Sequence, residues 1–395
     1  MISENLSLVT KNSHPLNPVA NIRALQILRA VAALMVVSRH SDLLLKHIPN
    51  HYLPNEFAAV GTIFAFFYHL SFGVDIFFCL SGYIMAMLLQ RAASGPMAAL
   101  DFMAKRAIRI LPPYWAFTFL ILILYVVTQE KLNIGQLSGN SWQNTCRAFT
   151  SLFLIPQAAP PLLIAGWTLI HEFLFYLLCA IIVLLNRSSR LILILASIPT
   201  LAVALALGGH PTSFGSVFGT YYLEFLMGAV VFKFGRTLTS CVPMIQCLLA
   251  IVLYGLVVKL LEVGWEPFGT SISITRQIGG ALIGGLLISG LIGVDQRYAV
   301  SRSHLGRIFA RIGDASFILY LSHGFVLSLL GKIAGILPSP SLPLIVFVQV
   351  SGIAVTVPIA LLISEKLELP VHRYLGQLWT RRFHAPSQDP KSQKF

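Results

Sequence analysis

Residues 28–40, LRAVAALMVVSRH, have the apolar texture of a membrane-spanning helix yet carry Arg29, Arg39 and His40. A cation at the centre of a spanning helix costs roughly 2.5–3.5 kcal/mol on insertion scales, so such residues must be compensated or functional. The composition of the whole chain decides how to read the stretch. Of 395 residues 56% are hydrophobic and 11% charged, with a mean hydropathy of +0.77. A soluble protein carries about 25% charged residues. Long apolar runs recur, each near the ~20 residues needed to cross a hydrocarbon core. The expected fold class is therefore all-α, a polytopic integral membrane protein.

The apolar runs place about ten transmembrane helices near 25–45, 71–90, 112–128, 167–185, 190–208, 217–234, 244–263, 274–293, 315–334 and 342–364. With that alternation, the N-terminus, the loops containing RAASGPMAALDFMAKRAIR, NRSSR, KFGR and DQRYAVSRSHLGRIFARIGD, and the C-terminal tail share one side. They hold most of the 28 Lys and Arg residues, whereas the opposite side holds Lys46, Lys131 and Arg147. The positive-inside rule puts both termini in the cytoplasm. Topology accounts for the net charge of +13, and no nucleic-acid partner is required. Residues 1–21 are expected to form a flexible cytoplasmic tail, 22–366 the membrane domain and 367–395 a basic cytoplasmic tail that begins as an interfacial helix. The second half of the 46–70 loop is expected to lie along the interface, and 129–166 is the longest outer loop. Arg39 and His40 interrupt the first apolar run and no clean cleavage site follows, so a retained helix is expected rather than a signal peptide. The five cysteines show no CxxC and no metal-ligand spacing, so no metal is expected.

Depth then sorts the ionisable residues. Arg29 lies about one turn inside the cytoplasmic end of the first span and His40 about one turn from its outer end. Eleven positions at ~1.5 Å and ~100° each give a rise of about 16 Å and almost three turns, so both side chains share one face. Arg39 points elsewhere and reads as a snorkelling anchor. Asp75, in SFGVDIFFCLSGYIM, and His171 and Glu172, in GWTLIHEFLFYLL, fall near the level of His40. A carboxylate accepting the Nδ1 proton of His40 would fix its tautomer and raise its basicity, with Asp75 or Glu172 in that role. Toward the cytoplasm, KRAIRILPPYW presents Lys105, Arg106 and Arg109 just before the third span. Arg106 and Arg109 share a helical face and suit either anionic lipid headgroups or, with Arg29, a phosphate clamp.

These blocks, in this order, resemble the membrane-bound acyltransferase-3 family, whose members O-acylate sugars and other surface molecules. Arg29 and His40 match its basic-x10-His signature. GVDIFFCLSGYIM is similar to its second-helix block, RAIRILPPYW to its R-x-x-R-x-x-P block and GWTLIHEFLFYLL to its Trp-x-Leu-x-x-Glu block. GDASFILYLSHGFVL is similar to a late-span block ending in His, here His323. The resemblance runs over about residues 22–375. Ser322 departs from it where relatives often carry an aromatic, and His171 where they carry a small or apolar residue. The resemblance implies acetyl-CoA as a donor bound from the cytoplasm by Arg29, Arg106 and Arg109. It also implies His40 as base or acyl relay with Asp75 or Glu172 as its acid. His323 and His171 are possible additions, and Tyr320 and Ser81 read as packing groups. The implied acceptor is a glycan or lipid-linked glycan such as exopolysaccharide, O-antigen or lipo-oligosaccharide. Transfer is either direct or through a separate outer-side protein, in a bacterial inner membrane whose lipids are the remaining partners. The competing reading is a proton-coupled secondary transporter or flippase using His40, Asp75 and Glu172 as a relay. It is weakened by the lack of a second-half counterpart to the Asp75 block.

Overall fold

The computed structural model describes residues 18–44, 69–128, 141–157, 160–185, 221–264, 274–334 and 342–383. The expected span at 190–208, most of the 46–70 loop, residues 129–140, residues 1–17 of the first tail and 384–395 of the last lie outside the described residues. Among the described residues every regular element is helical, as a bilayer demands of backbone that cannot hydrogen-bond to solvent. Among the described residues seven helices are long and apolar enough to cross a membrane.

Helix α1 (Pro18–Arg39) ends in a 3-10 turn, His40–Leu44. After a short 3-10 segment at Leu70–Phe72 come α2 (Gly73–Arg91) and α3 (Pro96–Thr128). The short α4 (Ser141–Leu152) precedes α5 (Gly166–Leu184), and α6 (Tyr222–Cys241), α7 (Pro243–Glu262) and α8 (Ile274–Tyr298) follow. The amphipathic α9 (His304–Asp314) leads into α10 (Ser316–Ala334). Last come α11 (Leu342–Ile363) and α12 (Leu369–Phe383), joined by a π-turn at Ser364–Glu368. The helices α1, α2, α5, α6, α7, α8, α10 and α11 occupy predicted spans, and α3 covers another.

One boundary differs in a way that matters for function. Helix α3 begins at Pro96, not near 112, so Lys105, Arg106 and Arg109 sit inside a continuous helix rather than before one. Pro112 and Pro113 do not interrupt it. Prolines are tolerated in membrane helices because neighbouring groups take over the freed carbonyls. At 33 residues, α3 is about 50 Å long, well beyond the ~30 Å of a hydrocarbon core.

Helices α2 and α8 are central, with 67% of their apolar windows buried, whereas α7 is peripheral with 11%. Close approach explains the packing of α2. A Cβ on Gly82 would collide with the Phe225 carbonyl of α6, and one on Gly228 with the Cys79 carbonyl of α2. On α8, Gly280 lies against Asp75 and Gly284 against the Cys79 side chain. Small residues of this kind let membrane helices gain van der Waals contact where no hydrophobic drive exists between them. Helix α1 packs against α2, α8, α9 and α10, which carries Arg29 and His40 along the inside of the bundle.

Candidate active site

A cavity with about 780 Å³ of empty space, part of it open to the outside, lies between α1, α2, α3, α5 and α10. One end is lined by Arg29, Arg106, Arg109, Glu172, Tyr176 and Ser316. The three arginines expected to act together thus come from two helices to one space. Arg29 Nε donates to Ser316 Oγ at 3.1 Å. Its guanidinium also lies within electrostatic reach of Arg109, Glu172 and Asp314. The Asp314 carboxyl, at the end of the surface helix α9, is raised above its ordinary range by partial burial, while Arg29 and Arg109 pull it down. Arg106 Nε is buried without a hydrogen-bond partner among the described residues. Clustered like charges with an unsatisfied N–H repel one another unless an anion fills the space between them.

Glu172 belongs to this end. Its Oε1 accepts from Ser81 Oγ at 3.0 Å and, more tightly, from the Tyr176 hydroxyl one turn along α5. It partly neutralises the arginines and holds the Tyr176 ring upright in the cavity wall. Lys105, by contrast, turns outward and pairs with Asp101 at 2.7 Å.

Beyond the arginines the cavity wall turns apolar, with Phe77, Ile84 and Leu169, and reaches Thr168 and Tyr320. Past Tyr320 on the same helix stands His323, whose ring centroid is 5.9 Å from that of Tyr320 and 5.0 Å from that of His40. Both imidazoles are oriented in the same way. His40 Nδ1 lies 2.8 Å from the Val36 carbonyl oxygen, and His323 Nδ1 lies 2.6 Å from that of Tyr320. A carbonyl only accepts, so each Nδ1 carries the proton and each Nε2 the basic lone pair. The structure therefore corrects the source of the orienting bond. The α-helix ends at Arg39 and tightens to 3-10 at His40, which folds the imidazole back onto a main-chain oxygen rather than onto Asp75 or Glu172.

Asp75 lies elsewhere, fully buried, with Oδ2 accepting from Arg276 Nη2 of α8 at 3.0 Å. Arg276 also donates to Ser71 Oγ at 3.1 Å and the Ser71 carbonyl at 3.3 Å, and its guanidinium lies 5.2 Å from the Phe72 ring centroid. The carboxyl of Glu224, from α6, lies within electrostatic reach of Asp75 and Arg276, and neither of its oxygens has a hydrogen-bond partner among the described residues. His171 is buried among Phe78, Trp167 and Tyr221, with ring centroids 6.1, 5.8 and 5.2 Å away, and Nδ1 unpartnered. It does not line the cavity.

Of the expected site residues, the structure unites Arg29, Arg106, Arg109 and Glu172 around one space. It sets His40 beside His323, with their rings tilted, and Asp75 and His171 in separate surroundings. Sequence reasoning missed Glu224 and Arg276. Their signal was available, since each falls near the same end of its predicted span as Asp75 does. Tyr176 was missed too, although its i+4 spacing from Glu172 predicts contact on a helix.

The family model described as an acyltransferase domain matches residues 22–364, most of the chain. Among characterised relatives, the exopolysaccharide production protein ExoZ of Rhizobium meliloti (strain 1021) is 29% identical over 313 residues, which are 75% of this chain and 88% of that protein. No solved structure matches the chain. The matched region contains Arg29, Arg106, Arg109 and Glu172 of the cavity, and His40 and His323, which lie beyond its lining. This membrane protein belongs to the acyltransferase-3 family and is an acyltransferase.

Proposed function

We propose that the protein moves an acyl group, acetyl in the simplest case, from cytoplasmic acyl-CoA to a hydroxyl of a cell-surface glycan of the exopolysaccharide class, in a bacterial inner membrane. The observation that carries this reading is the polarity of the cavity: three arginines at one end, an apolar middle, and two imidazoles with their Nδ1 atoms pinned beyond the other. Phosphates suit the first end, since guanidinium groups bind phosphate oxygens through paired, charge-assisted hydrogen bonds. The apolar middle suits an extended pantetheine arm. The name of the relative ExoZ supports a glycan acceptor of this kind.

In this reading His40 Nε2 takes the proton of the acceptor hydroxyl as its oxygen attacks the thioester carbonyl. The carbonyl pair moves onto oxygen, then returns as the carbon–sulfur bond breaks. The proton passes from Nε2 to the departing sulfur, giving an ester and free CoA thiol. General-base help of this kind contributes about 10²- to 10⁴-fold. Glu172 acts by holding Tyr176 and balancing the arginines, and Asp75 by fixing helix positions.

The test is transfer of radiolabel from acetyl-CoA to the glycan fraction of membrane vesicles carrying the full chain. Label should enter glycan with the native protein and stay out with His40→Ala. Equal labelling by the two would end His40's role as base. Solute uptake in the absence of acetyl-CoA, with no labelling, would replace the reading with a transporter.

A further inference from the structure

The acyl-transfer reading leaves one charge unattended. As the hydroxyl adds, the carbonyl oxygen becomes an oxyanion, and the arginines at the far end of the cavity are engaged with phosphates. A donor is needed where the acyl group sits, between the apolar middle and the imidazoles.

Two hydroxyls stand at that point. Tyr320 and Thr168 both line the cavity, and Tyr320 lies one helical turn from Ser316 and three residues from His323. Tyr320 is edge-on to Phe77, with ring centroids 6.3 Å apart, which fixes the ring. The hydrogen bonding around it is over-supplied. Thr168 Oγ1 lies 2.8 Å from the Tyr320 hydroxyl and 3.1 Å from the Ala165 carbonyl oxygen. Tyr320 lies 3.2 Å from the same carbonyl. Each hydroxyl has one hydrogen and can also accept, so the hydrogens can be shared in more than one way. In one, Thr168 donates to Tyr320 and Tyr320 to Ala165. In another, Thr168 donates to Ala165 by itself, and the Tyr320 hydrogen is free to turn to Thr168 Oγ1 or toward the cavity. The carbonyl stays satisfied in both, so turning the Tyr320 hydroxyl toward a substrate leaves no buried acceptor orphaned.

We infer that Tyr320 is a catalytic residue whose hydroxyl donates to the thioester carbonyl oxygen, with Thr168 as the positioning residue that frees it. The inference rests on the acyl-transfer reading. The step adds no atoms: the carbonyl π pair becomes the oxyanion held by the Tyr320 hydrogen, and returns as the carbon–sulfur bond breaks and His40 protonates the sulfur. A donor poised in a water-poor site is worth about 10²- to 10³-fold in kcat.

The experiment uses the full chain in vesicles with acetyl-CoA as donor and a ketone analogue of acetyl-CoA, methylene in place of sulfur, as a binding probe. Tyr320→Phe keeps the ring and should lower kcat about 10²-fold or more while the KM for acetyl-CoA and the affinity for the analogue stay within about twofold. Thr168→Ser should keep the native rate, and Thr168→Val should lose about tenfold in kcat. A merely structural role would move KM and analogue binding together with kcat in every variant. Tyr320→Phe transferring at the native rate would overturn the inference. Were that variant to fail to fold, equal rates for Thr168→Ser and Thr168→Val would overturn it, and a tenfold gap between them would support it. Absence of transfer by the native protein would instead bring down the acyl-transfer reading itself.

Discussion

Two clusters of charge lie inside this bundle, and they are built in opposite ways. Around Asp75 the charged groups face one another: Arg276 donates to Asp75 and Ser71, and Glu224 of α6 lies within electrostatic reach of both Asp75 and Arg276. Around Arg29 the groups face a space. Three arginines line a cavity that Asp75, Glu224 and Arg276 do not line. An intramembrane charge marks a ligand site when its hydrogen bonds end in a cavity, and a helix tie when they end in protein. Both clusters have the same residue types, so residue type alone does not separate them.

The sharpest way to break this comparison is at His40. His40→Ala should lower transfer about 10²- to 10⁴-fold while acetyl-CoA still binds, because the phosphate end is intact. Radiolabel transfer and binding by the same vesicles read the two effects separately. Loss of binding would mean that the two ends of the cavity are not distinct.

Asp75→Ala tests the other cluster. It takes the ion-pair partner from the half-buried Arg276 guanidinium, which costs at most about 3–5 kcal/mol. The expected outcome is a lower thermal midpoint and a lower yield in detergent, with normal kcat for the molecules that fold. A stable Asp75→Ala protein without activity would return Asp75 to the catalytic group and erase the distinction.

How far the sequence discloses this plan depends on the kind of interaction. Helix positions are legible because a bilayer imposes long apolar runs. Arg29, Arg106 and Arg109 are legible as a group because helical periodicity and depth are regular. The merging of 96–128 into one helix is not, because Pro112 and Pro113 read as a boundary and only the tertiary surroundings make them harmless. The orienting bond to His40 is less legible still, since its acceptor is a backbone oxygen and any residue at position 36 supplies one. Glu224 and Arg276 stand between these cases. Depth puts them level with Asp75, but only the glycine contacts of α2 with α6 and α8 bring the three together.

A smaller effect distinguishes the arginines as ligands for an anion. Arg29→Ala removes a charged donor, and Arg106→Ala another. Each should raise the KM for acetyl-CoA about 10- to 100-fold, the equivalent of one charge-assisted hydrogen bond, with kcat changed far less. Dephospho and shortened CoA fragments would then show which phosphate each guanidinium holds. An unchanged KM in both variants would make this end of the cavity another helix tie.

The smallest effect is the most discriminating for the comparison. Lys105 sits next to Arg106 in sequence and carries the same charge, so any account based on a basic patch treats the two alike. In the structure Lys105 is exposed and its ammonium is satisfied by Asp101 one turn earlier, while Asp101 also accepts from Trp379 Nε1 of α12 at 2.9 Å. An exposed pair of this type contributes about 0–1 kcal/mol. Lys105→Ala should therefore leave the KM for acetyl-CoA and the thermal midpoint nearly unchanged, measured beside Arg106→Ala in the same vesicles. A KM increase in Lys105→Ala equal to that of Arg106→Ala would mean that CoA is drawn by the general positive field of the helix end. The cavity would then lose its claim to recognise phosphate by individual, inward-facing guanidinium groups, and the contrast between charges that face space and charges that face protein would no longer predict which residues bind.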